Sequence, residues 1–227
     1  MKTNILFGTI LLIAVSLAAA DSNPKDEITT AAKKLGDKPN YSWRTTVVVP
    51  DDAQFKPGPS DGKTEKGGFT HITMSFGDNT TQAVIKGDKA AVMNQEGEWQ
   101  SVADLENSEG RGRFLGRIVR GFRAPAVQAA ELAAATKSLK KDSDVYSGDL
   151  TDEGAKAQFR VAPATNAKGS VKFWLKDGAL TKYEFKLKGT VNFNGNDVEV
   201  DRTTTVEIKD VGITKVSVPE AATKKLS

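Results

Sequence analysis

Between Ser170 and Pro219 apolar and charged residues alternate with a period of two, and that period fixes most of what the chain can become. Val171, Phe173 and Leu175 fall on one side of a strand, with Lys172, Trp174 and Lys176 on the other. Asp177-Gly178 supplies a tight reversal, and Tyr183, Phe185 and Leu187 then stand against Lys182, Glu184, Lys186 and Lys188. Asn194-Gly195 reverses the chain again, since both residues tolerate positive φ. The return strand sets Val198, Val200, Thr204, Val206 and Ile208 opposite Glu199, Asp201, Thr203, Glu207 and Lys209. A long antiparallel meander with one wet face and one apolar face has to cover something.

Asn23-Pro24, followed by Asp26 and Glu27, reads as the start of a short helix whose apolar stripe is Ile28, Ala31, Ala32 and Leu35, stopped at Gly36. Tyr41 to Val49 reads as a strand, and Pro50 to Gly68, with Pro57 and Pro59, as a long exposed loop. Strands follow at Phe69 to Phe76, Gln82 to Ile85 and Ala90 to Met93, with another at Trp99. From Gly112 to Lys141 the period changes to 3.6. Phe114, Leu115, Ile118, Val119 and Phe122 share one arc of a helix, with Arg113, Arg117, Arg120 and Arg123 opposite. Pro125 restarts the helix, and an alanine-rich helix is predicted over Ala126 to Lys141. A strand at Val145 to Leu150 and a short helix at Asp152 to Val161 complete the order. Strand runs flanking a helical block predict an α+β fold: a strongly curved antiparallel sheet, a half-open barrel, covered on its concave face by helices.

Lys2, the apolar run Ile5 to Leu17 and Ala18-Ala19-Ala20 read as a cleaved signal peptide over residues 1–20. That run is about 13 residues, short of the roughly 20 a membrane-spanning helix needs. Residues 21–227 read as one domain, with 31 basic against 29 acidic side chains and a net charge of +2. This balance speaks against a dedicated nucleic-acid binder. The chain has no cysteine, which excludes disulfides, thiolate catalysis, cysteine metal sites and a lipidated cysteine. The expectation is an exported, soluble protein, periplasmic or extracellular, without a lipid anchor.

The carboxy-terminal half carries a resemblance. Val145-Tyr146-Ser147-Gly148-Asp149-Leu150, the hairpin Val171 to Tyr183 around Trp174 and Gly178, and the ending Asp210-Val211-Gly212 with Val216-Ser217-Val218-Pro219 follow in order. Together they resemble the LolA/LolB-like periplasmic lipid carriers, and within that superfamily the LppX/LprG type. The resemblance implies an incomplete barrel over helices, holding acyl chains in the cavity between. Members of that type are usually anchored through a cysteine, which this chain lacks.

The inward set expected to face such a ligand is Ile72, Met74, Phe76, Phe173, Phe185, Leu187 and Phe193 from the strands, with Phe114, Ile118 and Phe122 from the helix. The same residues describe equally well a closed core with no ligand, that is, an exported structural or interaction domain. Arg202 shares the face of Val198, Val200, Thr204 and Val206. There a planar guanidinium suits an anionic headgroup, unless a bulge turns it outward or a buried carboxylate pairs with it. The arginine face of the helix is either a solvated face or, through Arg113, Arg117 and Arg120, a contact with an anionic membrane surface. His71, the single histidine, falls on the outer face of its strand, so no catalytic role, cofactor or metal site is predicted. The glycines Gly110, Gly112, Gly116 and Gly121 suggest a helix that moves as a lid. The partner expected is a lipid or lipid-modified molecule.

Overall fold

Eleven strands join in one antiparallel sheet that never closes on itself, with six helices packed around it among the described residues. The computed structural model describes residues 23–226 other than 54, 55, 78, 109 and 194, and leaves out the side chains of Arg111 and Phe193. The leader expected over residues 1–20 lies outside them. Helix α1 (Pro24–Gly36) leads into β1 (Asn40–Val48), β2 (Pro57–Glu65), β3 (Thr70–Phe76), β4 (Asn79–Lys86), β5 (Lys89–Met93) and β6 (Trp99–Ser101). Helices α2 (Val102–Glu106), α3 (Arg111–Arg120) and α4 (Pro125–Ala134) come next, then β7 (Lys140–Asp142), β8 (Val145–Asp149) and α5 (Asp152–Ala157). The chain ends with β9 (Ala164–Lys176), β10 (Ala179–Phe193), β11 (Asn196–Lys209) and α6 (Glu220–Lys224).

The strand order is β6-β5-β4-β3-β2-β1-β11-β10-β9-β8-β7, so the first and last strands meet in the middle of the sheet. Flat, eleven strands at about 4.8 Å spacing would span some 50 Å. Yet Ile72, Ala83 and Val92 from one wing and Tyr146, Val171 and Phe173 from the other share one core with α1, α3 and α4. The sheet must therefore wrap its helices, as large twisted open sheets do. The α+β architecture read from the sequence is what forms.

Local chemistry accounts for the elements. Asn23 caps α1 by accepting from Lys25 N at 3.0 Å, and Asp26 and Glu27 sit at the positive end of the helix dipole. Asp177 and Gly178 both take positive φ, 52° and 70°, in the β9–β10 turn. Three expectations need correction. The segment predicted as a loop over Pro50 to Gly68 contains β2. Its prolines are tolerated because β1 pairs only with Ser60 to Glu65, and the pairing with β3 is irregular between Pro57 and Ser60. The helix predicted to Lys141 ends at Ala134, where Thr136 bridges Leu150 and Lys137 N bonds to Asp149 O. Not every helix lies on the same face. On the opposite face of β4–β6, Val84, Ala91 and Trp99 form a second small core with Ala222 of α6 and Leu226.

Candidate functional site

The inner face of the sheet divides into two regions. Beneath α1 and α4 it is a closed core: Phe173, Tyr183 and Leu187 are fully buried and Phe185 nearly so. Ala31 and Ala32 of α1, with Ala129 and Ala133 of α4, are all buried small residues, which suits the close approach of the two helices. Tyr183 donates to Gln128 Oε1 of α4 at 2.8 Å, and its ring stacks against Phe185 at 6.4 Å between centroids. Burial, helped by the neighbouring Tyr41, raises the Tyr183 hydroxyl well above its ordinary pKa, and burial pushes Tyr41 up to about 12.

Under α3 the packing is looser. This helix lies against α2 and reaches the sheet mainly at β5, without a comparable approach to β1, β2, β3 or β11. Leu115 and Val119 are buried, whereas Phe114, Ile118 and Phe122 are only half-buried. On the sheet, Ile72 and Met74 are buried, while Phe76, Val191 and Val200 are half-buried. The bridge between the two layers is aromatic: Phe122 stacks on Trp43 of β1 at 5.9 Å and 19°. We call the region between α3 and the middle of the sheet the trough.

Arg202 sits where the register expects it. The β10–β11 ladder runs without interruption from Lys182↔Glu207 to Phe193↔Asn196 and pairs Arg202 with the buried Leu187, so no bulge turns it outward. No carboxylate neutralises it among the described residues: neighbouring Asp201 faces outward, held by Lys188 at 2.7 Å and Lys186 at 3.5 Å. Arg202 Nε is buried without a hydrogen-bond partner, and the guanidinium carbon lies 5.9 Å from the centre of the Phe159 ring. Desolvation lowers the guanidinium pKa, though an arginine stays charged at neutral pH. Phe159 in turn lies over Gly189, where an added Cβ would come within 3.1 Å of Phe159 Cζ. Sequence reasoning missed Phe159 because it follows the end of α5, outside any periodic pattern. The only signal for it is the glycine interrupting the apolar face of β10.

The expected residues thus fall into separate places. Ile72, Met74 and Phe76 of β3, Phe114 and Ile118 of α3, and Phe122 just beyond it belong to the trough side, with Arg202 on the same sheet face. Phe173, Phe185 and Leu187 lie beneath α1 and α4. The side chain of Phe193 lies outside the described residues. Two open hollows, of about 440 and 310 Å³, lie elsewhere. The first is bounded by Asp61, Lys63, His71, Thr73 and the segment Ser217–Pro219, the second by Lys137, Lys140, Ser147 and Lys172.

His71 sits on the outer face, as expected. Its Nδ1 is 2.9 Å from Ser217 O and its Nε2 2.9 Å from Gln82 Oε1, so it tethers the carboxy-terminal segment. No cluster of three metal-ligating side chains occurs among the described residues. The arginine face of α3 is partly neutralised: Arg120 pairs with Glu106, Arg123 with Glu131, and Arg113 donates to Ser108 O, while Arg117 is exposed. The helix glycines have a packing reason. A Cβ on Gly112 would come within 2.3 Å of Ser108 Oγ, and one on Gly116 within 3.4 Å of Leu105 Cβ, so they let α3 lie close on α2.

The fold defines a class: an open antiparallel sheet wrapped around helices. No protein-family model matches the chain, and no curated protein matches its sequence. Similar solved structures include lipoprotein LppX of Mycobacterium tuberculosis, 10% identical with a TM-score of 0.49 over 88% of this chain and 100% of that one. They also include LprF of Mycobacterium bovis, 9% identical with a TM-score of 0.48 over 88% and 97%. A DUF1329 family protein of Desulfovibrio piger is 9% identical with a TM-score of 0.34 over 84% and 93%. No helix of the described residues is long and apolar enough to cross a membrane.

Proposed function

We propose that this protein is an exported, non-catalytic carrier that holds the acyl chains of a lipid or lipid-modified molecule in the trough between α3 and the sheet. The observation that supports this is the contrast in burial on one continuous inner face. Phe76, Ile118 and Phe122 remain half-buried, although their counterparts beneath α1 and α4 are sealed from water. Large apolar side chains left half-wet beside a finished core suit a concave ligand site. Each methylene removed from water would contribute about 0.8 kcal/mol, so a tail burying ten of them gains roughly 8 kcal/mol before the costs of association. For a chain to enter, α3 has to swing away with Phe122 leaving its stack on Trp43. The leader read at residues 1–20 supports export, and Arg113, Arg117 and Arg120 give α3 a basic outer face for an anionic membrane during loading.

The competing reading, an interaction domain with a filled interior, draws on the burial of Ile72 and Met74 and on the open hollows lying elsewhere. Native mass spectrometry of protein purified from its own host separates the two. The carrier reading expects a bound mass of several hundred daltons that organic solvent releases and that Ile118→Trp, which fills the trough, reduces. A bare protein mass, together with no uptake of a fluorescent fatty acid, would establish the filled interior.

A further inference from the structure

We infer that the ligand is an amphiphile with an acidic headgroup, a carboxylate or a phosphate ester, which enters head first and pairs with Arg202 inside the protein. This rests on the carrier reading and names the chemistry of its ligand. A buried cation with no counter-charge is a costly arrangement, and a protein with a filled interior gains by replacing it with an apolar side chain. Arg202 approaches that arrangement: the residue is half-buried, and its Nε is sealed from water without a hydrogen-bond partner. The flanking residues on its strand face are Val200 and Thr204, its cross-strand partner is Leu187, and its ring contact is Phe159.

The carboxylate adjacent in sequence, and the one paired with Arg160 next to Phe159, are engaged elsewhere. Asp201 is held by two lysines on the outer face, and Glu131 by Arg160 at 2.6 Å. The guanidinium plane resting by Phe159 leaves its forked N–H edge for two parallel hydrogen bonds, the arrangement that fits carboxylate and phosphate oxygens. Apolar surface from the half-buried Val200 and Phe122 then receives the tail.

The test uses delipidated full-length mature protein with three probes of equal chain length: dodecanoate, dodecyl phosphate and dodecanol, each below its micelle concentration. Calorimetric titration of the wild type is expected to show at least one of the two anions binding 10-fold or more tighter than dodecanol. The tighter of the two identifies the headgroup. In Arg202→Met that preference should shrink to within 3-fold while dodecanol binding persists. Arg202→Lys, which keeps the charge and loses the fork, should fall between them. Arg202→Met is also expected to melt no lower than the wild type, because it removes a partly desolvated charge that no carboxylate pairs with. Equal binding of anion and alcohol by the wild type, or a preference surviving Arg202→Met, would overturn the headgroup inference and leave the carrier reading standing. Absence of binding by all three probes would overturn both.

Discussion

Gly62 is the position at which one added carbon should do most damage. A Cβ there would lie 2.0, 2.2 and 2.5 Å from Cζ2, Cε2 and Cη2 of Trp43, where ordinary contact is 3.4–4 Å. The indole would have to retreat by about 1.4 Å, yet Trp43 is 3% exposed and wedged between Tyr41 and Phe122, each 5.9 Å away between ring centres. Two opposing effects set the sign. In a strand interior, Gly→Ala ordinarily stabilises by about 0.5–1 kcal/mol through backbone entropy. Overpacking costs about 1–3 kcal/mol, and losing a buried tryptophan from its site about 3–5 kcal/mol. The clash should win, with a net loss for Gly62→Ala of about 2–3 kcal/mol. Urea unfolding followed by circular dichroism reads the change in midpoint at constant slope. In a Trp43→Leu background the same substitution should cost less than about 1 kcal/mol, since the obstacle has gone. A neutral or stabilising Gly62→Ala, or an equal loss in both backgrounds, would refute the reasoning.

Other outcomes follow from the same geometry. Asn23→Ala removes the cap of α1 and should lower stability by about 1 kcal/mol, a fall in melting temperature of roughly 2–4 °C. Tyr41 and Tyr183 hold their protons more tightly folded than unfolded, so the stability they represent is intact below pH 10. It should be lost as pH rises from 10 towards 12, by about 1.4 kcal/mol per pH unit for each phenol, and urea midpoints for the wild type and Tyr41→Phe should converge over that range. Asp37, Asp152 and Asp201 are held below the usual carboxylate range chiefly by Lys66, Lys168 and Lys188. Their contribution is present above about pH 4, is lost on further acidification, and should be small and screened by salt, because all three are largely exposed.

Much of this architecture is legible in the residue order, and the exceptions have physical causes. The three long strands declare themselves because one face is dry and the other bears lysines, and Lys182 Nζ even sits 3.8 Å over the ring of Trp174 on that wet face. Strand β2 hides because its composition, with Pro57, Gly58, Pro59 and Gly62, opposes strand propensity. What makes it a strand is the indole laid across Gly62, a tertiary fact. The second small core was present as the unbroken apolar runs Ala83-Val84-Ile85 and Ala90-Ala91-Val92-Met93, which mark strands covered on both faces. The inward position of Arg202 was readable from alternation alone, because the ladder keeps its register. Its aromatic neighbour was not, since Phe159 reaches it from a loop. Nor can periodicity say which inward residues lie beneath α1 and α4 and which beneath α3. That partition depends on where Pro125 redirects the helical segment.

The sheet's central seam has a consequence for how the molecule comes into being. Ser42 to Val48 of β1 are zipped to Thr203 to Lys209 of β11, partners about 160 residues apart along the chain. Either wing can assemble as a local zigzag, but the two halves stay unjoined until the ribosome has delivered the final hairpin. A polypeptide that cannot lock prematurely remains threadable, which is compatible with the export proposed for this chain through a narrow translocation pore.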